Sequence, residues 1–199
     1  PMRSSSAAFV SQPGLTFNVA DDGITLGNLA ASFPTAATLF VAAAPSASDG
    51  TYNLFITVDN NGYWCWDGNW LTYCGAFRTS RLEGYGPMPQ SGVCLFQVDS
   101  SASVWRMFTN GISLGDTAAG YSAGDNYRIG YGPGAGGFSG DLAEILVYSR
   151  VLSSNEALKV GAYLVDKYGL TLPLVDPDNP AINNANGASV LNATSAVLN

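Results

Sequence analysis

The sequence of 199 residues has the length of a single domain with a sizeable core, and 47% of it is apolar. Charged residues are only 12%, about half the usual share, and lysine is confined to Lys159 and Lys167 within a net charge of −7. That balance argues against a nucleic-acid partner or an anionic membrane, both of which need a basic surface, and no apolar run approaches a membrane span.

The N-terminal residues lack the basic and apolar regions of a signal peptide, and a chain that begins at Pro1 reads as a mature, trimmed or partial segment. From there the sequence reads as short strands separated by turn chemistry. TLFVAAA (38–44), NLFITVD (53–59), YWCW (63–66), VCLFQVD (93–99), VWRMFTN (104–110), NYRIGYG (126–132) and DLAEILVY (141–148) are rich in β-branched or aromatic residues. Between them lie DG, NNG, DGN, NG and GPGAGG, each suited to a turn. Asn110-Gly111 predicts a type I′ hairpin. Strands at this spacing predict an all-β sandwich of two sheets.

One helix follows, over 152–170. Ser153 and Glu156 form a capping box, Ala157, Val160, Gly161, Leu164 and Tyr168 make one apolar stripe, and Gly169 is a natural left-handed stop. After Leu174 the composition turns to Asn, Ala and Ser without aromatics. Residues 175–199 read as a linker or an arm that orders against a partner.

The segment 138–170 resembles the C-terminal end of the laminin-G-like, concanavalin A-like jelly-roll family. The resemblance is carried by Phe138, Gly140, Asp141, Ala143, Glu144, Tyr148, Arg150, Leu152, Ser153 and Glu156, then by Tyr163, Leu164, Lys167, Tyr168 and Gly169. The Asn110-Gly111 hairpin and Tyr127-x-Ile129-Gly130 extend it over most of 37–170; the first 36 residues match weakly and the tail does not match. It implies an all-β, concanavalin A-like jelly-roll sandwich of two antiparallel sheets over 1–174, with one C-terminal α-helix. Members of the family include glycan- and protein-binding modules, some with calcium, and related folds include glucanases and lyases, so the site must decide the function.

Little reactive chemistry is available. Histidine is absent, which removes Ser-His-Asp and Cys-His catalysis and imidazole-based zinc sites. A glycosidase needs a carboxylate pair on a groove-lining strand; no glucanase motif is present, and the only glutamates are Glu83, Glu144 and Glu156. Glu156 is taken by the capping box, Glu144 invites a structural partner such as Arg150 or a backbone amide, and Glu83 is alone beside Gly84. Calcium needs several converging oxygens; Asp21-Asp22, Asp59-Asn60-Asn61 and Asp125-Asn126 are candidates that are also ordinary turns, so no cofactor is expected.

The stretch YWCWDGNWLTYC (63–74) is the most distinctive feature. Aromatic platforms bind sugars because pyranose rings present apolar C–H faces. Core packing is the favoured reading of Trp64 and Trp66, which share one face by strand alternation, whereas Trp70 beside the turn is the best ligand-contact candidate. Two registers are open. A turn centred on Gly68-Asn69 sets Trp64 opposite Tyr73 and Cys65 opposite Thr72; a loop over 68–71 sets Trp66 opposite Tyr73 and Cys65 opposite Cys74. The three cysteines, Cys65, Cys74 and Cys94, are either one bridge plus a free thiol or three buried thiols, and the apolar surroundings of Cys65 and Cys94 favour the latter. Arg78 and Arg81 follow, suited to sugar hydroxyls or carboxylates or to salt bridges.

The expectation is a non-enzymatic, extracellular or virion-surface module that binds a glycan or surface polysaccharide. Its candidate contacts are Trp70, Trp64, Trp66, Tyr73, Arg78 and Arg81, and its tail is expected to contact other subunits of a larger assembly. The alternatives are a purely structural assembly module and, behind it, a polysaccharide-cleaving enzyme.

Overall fold

The computed structural model describes residues 2–4, 9, 12–18, 22–28, 31–32, 36–45, 52–58, 62–67, 70–75, 94–101, 104–117, 126–132 and 136–169. The proposed arm at 175–199 lies outside the described residues. Three short strands open the chain: β1 (Met2–Ser4), β2 (Gly14–Phe17) and β3 (Ile24–Gly27). The central ones are β4 (Ala37–Pro45), β5 (Tyr52–Val58), β6 (Gly62–Asp67), β7 (Trp70–Gly75) and β8 (Cys94–Ser100). Then come β9 (Trp105–Thr109), β10 (Ile112–Thr117), β11 (Tyr127–Ile129), β12 (Tyr131–Gly132), β13 (Gly136–Gly137) and β14 (Gly140–Tyr148), followed by α1 (Ser154–Tyr168).

The strands form a seven-stranded sheet in the order β1-β2-β14-β4-β8-β9-β10, a five-stranded sheet in the order β3-β11-β5-β6-β7, and a β12-β13 ribbon. Every paired strand runs antiparallel to its neighbour. The expected all-β class with one helix therefore holds. Every strand read from periodicity has its counterpart in one of these sheets. GLTF and ITLG, in the weakly matching first 36 residues, form β2 and β3; four residues are too few for their alternation to stand out in a sequence.

Strand β4 explains the architecture. Its residues are buried almost without a break, which an antiparallel strand with one wet face would not show. Phe40 and Ala42 join Leu95, Leu152, Leu164 and Tyr168 in a cluster under the helix, while Leu39, Val41 and Ala43 are buried on the opposite face. The seven-stranded sheet is thus covered by α1 on its outer face and by the five-stranded sheet on its inner face. The two sheets meet at Gly130 and Phe17. Gly130 has φ +78, and a Cβ there would overlap the Phe17 ring, so glycine is required by both conformation and space. Phe17 in turn meets Phe138 edge to face at 5.7 Å.

The helix is built as its sequence predicts. Ser153 is the N-cap and its hydroxyl accepts from the Glu156 N–H, while the Glu156 carboxylate accepts from the Ser153 N–H at 2.9 Å. Gly169 closes the helix with φ 61 and ψ 36. Gly161, Ala162, Leu164 and Tyr168 are the buried face. Burying Leu164 alone contributes ~2 kcal/mol at ~25 cal/mol per Å².

The Asn110-Gly111 hairpin is as expected. Both residues have positive φ, 53 and 77, as a type I′ turn requires, and Thr109 pairs with Ile112. Asn110 does a second job. Its Oδ1 accepts from the Leu95 N–H at 2.9 Å and its own N–H donates to the Leu95 carbonyl at 2.7 Å, tying the turn to β8.

Candidate functional site

The aromatic stretch forms the β6-β7 hairpin, and β7 is the outer strand of the five-stranded sheet as described. Asp67 pairs with Trp70, the register of a two-residue turn at 68–69. A bulge then shifts the pairing by one, so Cys65 stands opposite Tyr73, Trp64 opposite Cys74 and Tyr63 opposite Gly75. Neither register expected from the sequence is the observed one. The turn belongs to the first, but the bulge carries the strand beyond it and stops one residue short of the second. The cysteines are therefore not cross-strand partners. Trp64 also lines up with Ile56 of β5 and, through it, Ile129 of β11, two residues from buried Tyr127. Trp66 pairs with Asn53. The hairpin thus brings Trp64, Trp66, Trp70 and Tyr73 onto two adjacent strands, where backbone path and register are defined. Arg78 and Arg81 lie outside the described residues, as does Glu83.

The other two glutamates are committed to structure. Glu144, in the middle of β14, accepts from Lys167 Nζ at 2.9 Å and from the Tyr168 hydroxyl at 3.0 Å. The structural role expected of Glu144 is present, with Lys167 and Tyr168 as its partners rather than Arg150, the example the sequence suggests. Arg150 instead grips Glu156 through two bonds, Nη1 to Oε2 at 2.9 Å and Nη2 to Oε1 at 2.6 Å. The helix lies across β14, so its last turn, not the strand end, faces Glu144. Arg150 and the capping bonds of Ser153 hold the Glu156 carboxyl far below the usual carboxylate range. Lys167 is pushed upward by its bonds to Tyr163 and Glu144. Tyr168 is pushed up to about 12, first by burial and then by its bond to Glu144.

The described residues also form a concave feature that no local sequence pattern marks. The helix covers β14, β4 and part of β8, and leaves a groove of about 390 Å³ between its first turns and the outer face of β8 and β9. Phe40, Leu95, Phe108 and Leu158 give it apolar walls, and Gln97, Asp99, Arg106 and Ser154 give it polar groups. Asp99 is 7% exposed. Its Oδ1 accepts from Thr38 Oγ1 at 3.0 Å and from Gln97 Nε2 at 3.1 Å. Thr38 Oγ1 also accepts from the Leu152 N–H at 3.0 Å, linking this carboxylate to the start of the helix. In the sequence Asp99 looked like a strand end beside serines. Nothing local marks it, because the helix that completes its surroundings comes more than fifty residues later.

Among the described residues no group of three Asp, Glu or Cys comes together that could hold a metal. Of the calcium candidates, Asp22 accepts from the Asn18 N–H at 3.0 Å, an ordinary turn contact, while Asp21, Asp59, Asn60, Asn61 and Asp125 lie outside the described residues. Among the described residues no helix is long and apolar enough to cross a membrane.

No protein-family model and no curated protein matches the sequence. Solved structures do match. Domain 4 of AbnA, a GH43 extracellular arabinanase from Geobacillus stearothermophilus solved with arabinotriose, superposes with a TM-score of 0.60 at 14% identity, over 83% of this chain and 80% of that one. The CBM40 of Ruminococcus gnavus IT-sialidase, bound to α2,3 sialyllactose, gives 0.54 at 15%, over 74% and 95%. Trypanosoma rangeli sialidase with the inhibitor DANA gives 0.54 at 18% over 72% of this chain, which spans only 26% of the sialidase. The likeness is one of fold. Two of these three structures are individual domains solved with a bound oligosaccharide.

Proposed function

We propose that the chain is a non-enzymatic, concanavalin A-like jelly-roll module that binds glycans and is displayed on a virion, as a fibre or capsid decoration, or on a microbial surface. The β6-β7 hairpin carries this reading. It gathers Trp64, Trp66, Trp70 and Tyr73 on two adjacent strands at one side of the five-stranded sheet. Indole and phenol faces there suit the C–H faces of a sugar ring, and Arg78 and Arg81, next in the sequence, suit its hydroxyls or carboxylates. The shared fold with domains solved on arabinotriose and sialyllactose supports a glycan as the ligand class. A glycosidase needs two free carboxyl groups across a bond; the sequence holds no glucanase motif, and two of its three glutamates, Glu144 and Glu156, are engaged in a helix clamp and a cap. In this reading residues 1–174 are the module, residues 175–199 are an arm to other subunits, and calcium has no part.

Tryptophan fluorescence tests it. A shift with arabino-oligosaccharides, sialyllactose or another polysaccharide of a panel, lost in Trp70→Ala, is the expected result. A glycan array and a cell-binding assay that both stay blank would sink the reading. Release of reducing ends from any polymer would reassign the chain as an enzyme. Deleting 175–199 should lower the assembly mass beyond the loss of the segment, and otherwise the arm has no such role.

A second reading, a purely structural assembly module, is favoured by the register that lines Trp64 up with Ile56 and the β11 strand of buried Tyr127. It predicts no fluorescence change with any glycan.

A further inference from the structure

A groove of about 390 Å³ lies between α1 and the outer face of β8 and β9. It lies on the seven-stranded sheet, away from the aromatic hairpin. The register sets Thr38, Asp99, Arg106 and Asp116 side by side across four strands, so a carboxylate and a guanidinium are adjacent on one face. Asp99 is more than nine-tenths buried, and both of its hydrogen bonds fall on Oδ1. Its Oδ2 has no partner among the described residues. A carboxylate oxygen has room for two donors, so Oδ2 keeps its acceptor capacity for a ligand in the groove. Arg106 is exposed and makes no ion pair among the described residues, although Asp99 and Asp116 are its cross-strand neighbours.

We propose that this groove is a second ligand site, built for a neutral polyhydroxylated ring of mono- or disaccharide size. Three properties select that class. Its volume of about 390 Å³ lies at the small end of the ~300–1,000 Å³ typical of small-ligand sites. An acceptor at Asp99 and a donor at Arg106 face the same space, so a vicinal pair of hydroxyls satisfies both, whereas a cation meets Arg106 and an anion meets Asp99. Phe108, Phe40 and Leu158 supply an apolar wall for the C–H face of the ring. A single carboxylate is too few for calcium. The proposal does not depend on the hairpin as a glycan site.

The test is an NMR titration of the ¹⁵N-labelled full chain with glucose, galactose, N-acetylglucosamine, lactose and sialyllactose, each to about 50 mM, well above a Kd of about 1 mM. At least one sugar should give saturable shifts at the amides of Gln97, Asp99, Gly111 and Leu158. Arg106 is exposed and unpaired, so Arg106→Ala should keep the fold and weaken binding about 10-fold, the scale of one charged hydrogen bond. Ala157→Trp, which fills the groove from the helix side, should abolish the shifts, and Trp70→Ala should leave them unchanged. The proposal is overturned if no sugar moves these amides, if Arg106→Ala and Ala157→Trp both bind as the parent does, or if Trp70→Ala removes the shifts. Tighter binding of ethanolamine or acetate than of any sugar would overturn the ligand class.

Discussion

Lys167 Nζ lies 2.9 Å from Glu144 Oε2, joining the last turn of the helix to the middle of β14. The Tyr168 hydroxyl shares that oxygen at 3.0 Å, and the ammonium also bonds the Tyr163 hydroxyl at 2.9 Å. The Phe9 ring meets Tyr168 edge to face at 5.8 Å. The helix is therefore held by a polar clamp beside an apolar contact. Glu144→Ala leaves the Tyr168 hydroxyl and the ammonium without their acceptor. It should cost ~1–3 kcal/mol, or roughly 2–12 °C in Tm at this chain length. A double-mutant cycle with Lys167→Ala in urea denaturation measures the coupling, and a coupling near zero would remove the clamp from the account.

Tyr168 gives this clamp a pH dependence. Its folded pKa, about 12, lies above the ordinary 10.0, because burial and the Glu144 carboxylate both disfavour the phenolate. A raised folded pKa means that the stabilisation is complete below pH 10 and is lost as pH rises towards 12. Stability followed by denaturation from pH 9 upward should fall through that window. Tyr168→Phe should start lower and lose stability with a shallower slope. An equal slope in both proteins would assign the alkaline loss elsewhere.

At the other end of the helix the cap should matter more than the ion pair. Ser153→Ala removes one side of the capping box and should cost ~1 kcal/mol. Arg150→Ala breaks an exposed pair and should change stability little. The Glu156 carboxyl is depressed in the fold, so its contribution is present above the unfolded carboxylate pKa of roughly 4.3 and is lost as pH falls towards its folded value. Glu156→Gln should therefore be less stable than the parent at neutral pH and approach it in strong acid, as read by circular dichroism melts.

Two glycines separate conformation from packing. Gly27 and Gly130 have similar φ, +80 and +78, but a Cβ on Gly27 meets nothing within 4 Å, whereas one on Gly130 overlaps Phe17. Gly27→Ala should cost ~1–2 kcal/mol, the left-handed penalty alone. Gly130→Ala should cost ~1–3 kcal/mol more, from forcing the sheets apart. Equal losses in chemical denaturation would show that the Phe17 ring moves aside freely.

The β6-β7 register predicts no bridge between Cys65 and Cys74, since Cys65 pairs with Tyr73 and Cys74 with Trp64. Denatured without reductant, the protein should react with a thiol reagent at all three cysteines. Reaction at Cys94 alone, with Cys65 and Cys74 joined in a peptide map, would mean that the hairpin adopts the other register.

Local patterns carried much of this fold. Positive φ at Asn110-Gly111, the Ser153–Glu156 box and the Gly169 stop each depend on a few neighbouring residues, and each was legible because its physics is local. The apolar run of β4 was legible as a strand, but its meaning was not. An unbroken run is equally compatible with several architectures, and only the helix on one side and the five-stranded sheet on the other explain why both faces are dry.

The candidate site divides the same way. The aromatic cluster at 63–74 could be read directly, because its residues are adjacent in the chain. Its register could not, because a single bulge between Cys65 and Asp67 moves every later pair by one. That Glu144 has a structural partner could be read from its strand motif, but which one could not: the sequence suggests nearby Arg150 or a backbone amide, whereas the crossing of the helix over β14 brings Lys167 and Tyr168 there.

By itself the sequence determined the all-β class, the single capped helix, the hairpin turn and the lack of imidazole chemistry, since all of these follow from residue type and short spacing. Tertiary structure alone decided that Glu144 is clamped, that Asp99 is buried beside an unpaired Arg106, and that a groove remains between helix and sheet. Those features join residues tens of positions apart, and their energetics depend on burial, which no local window contains.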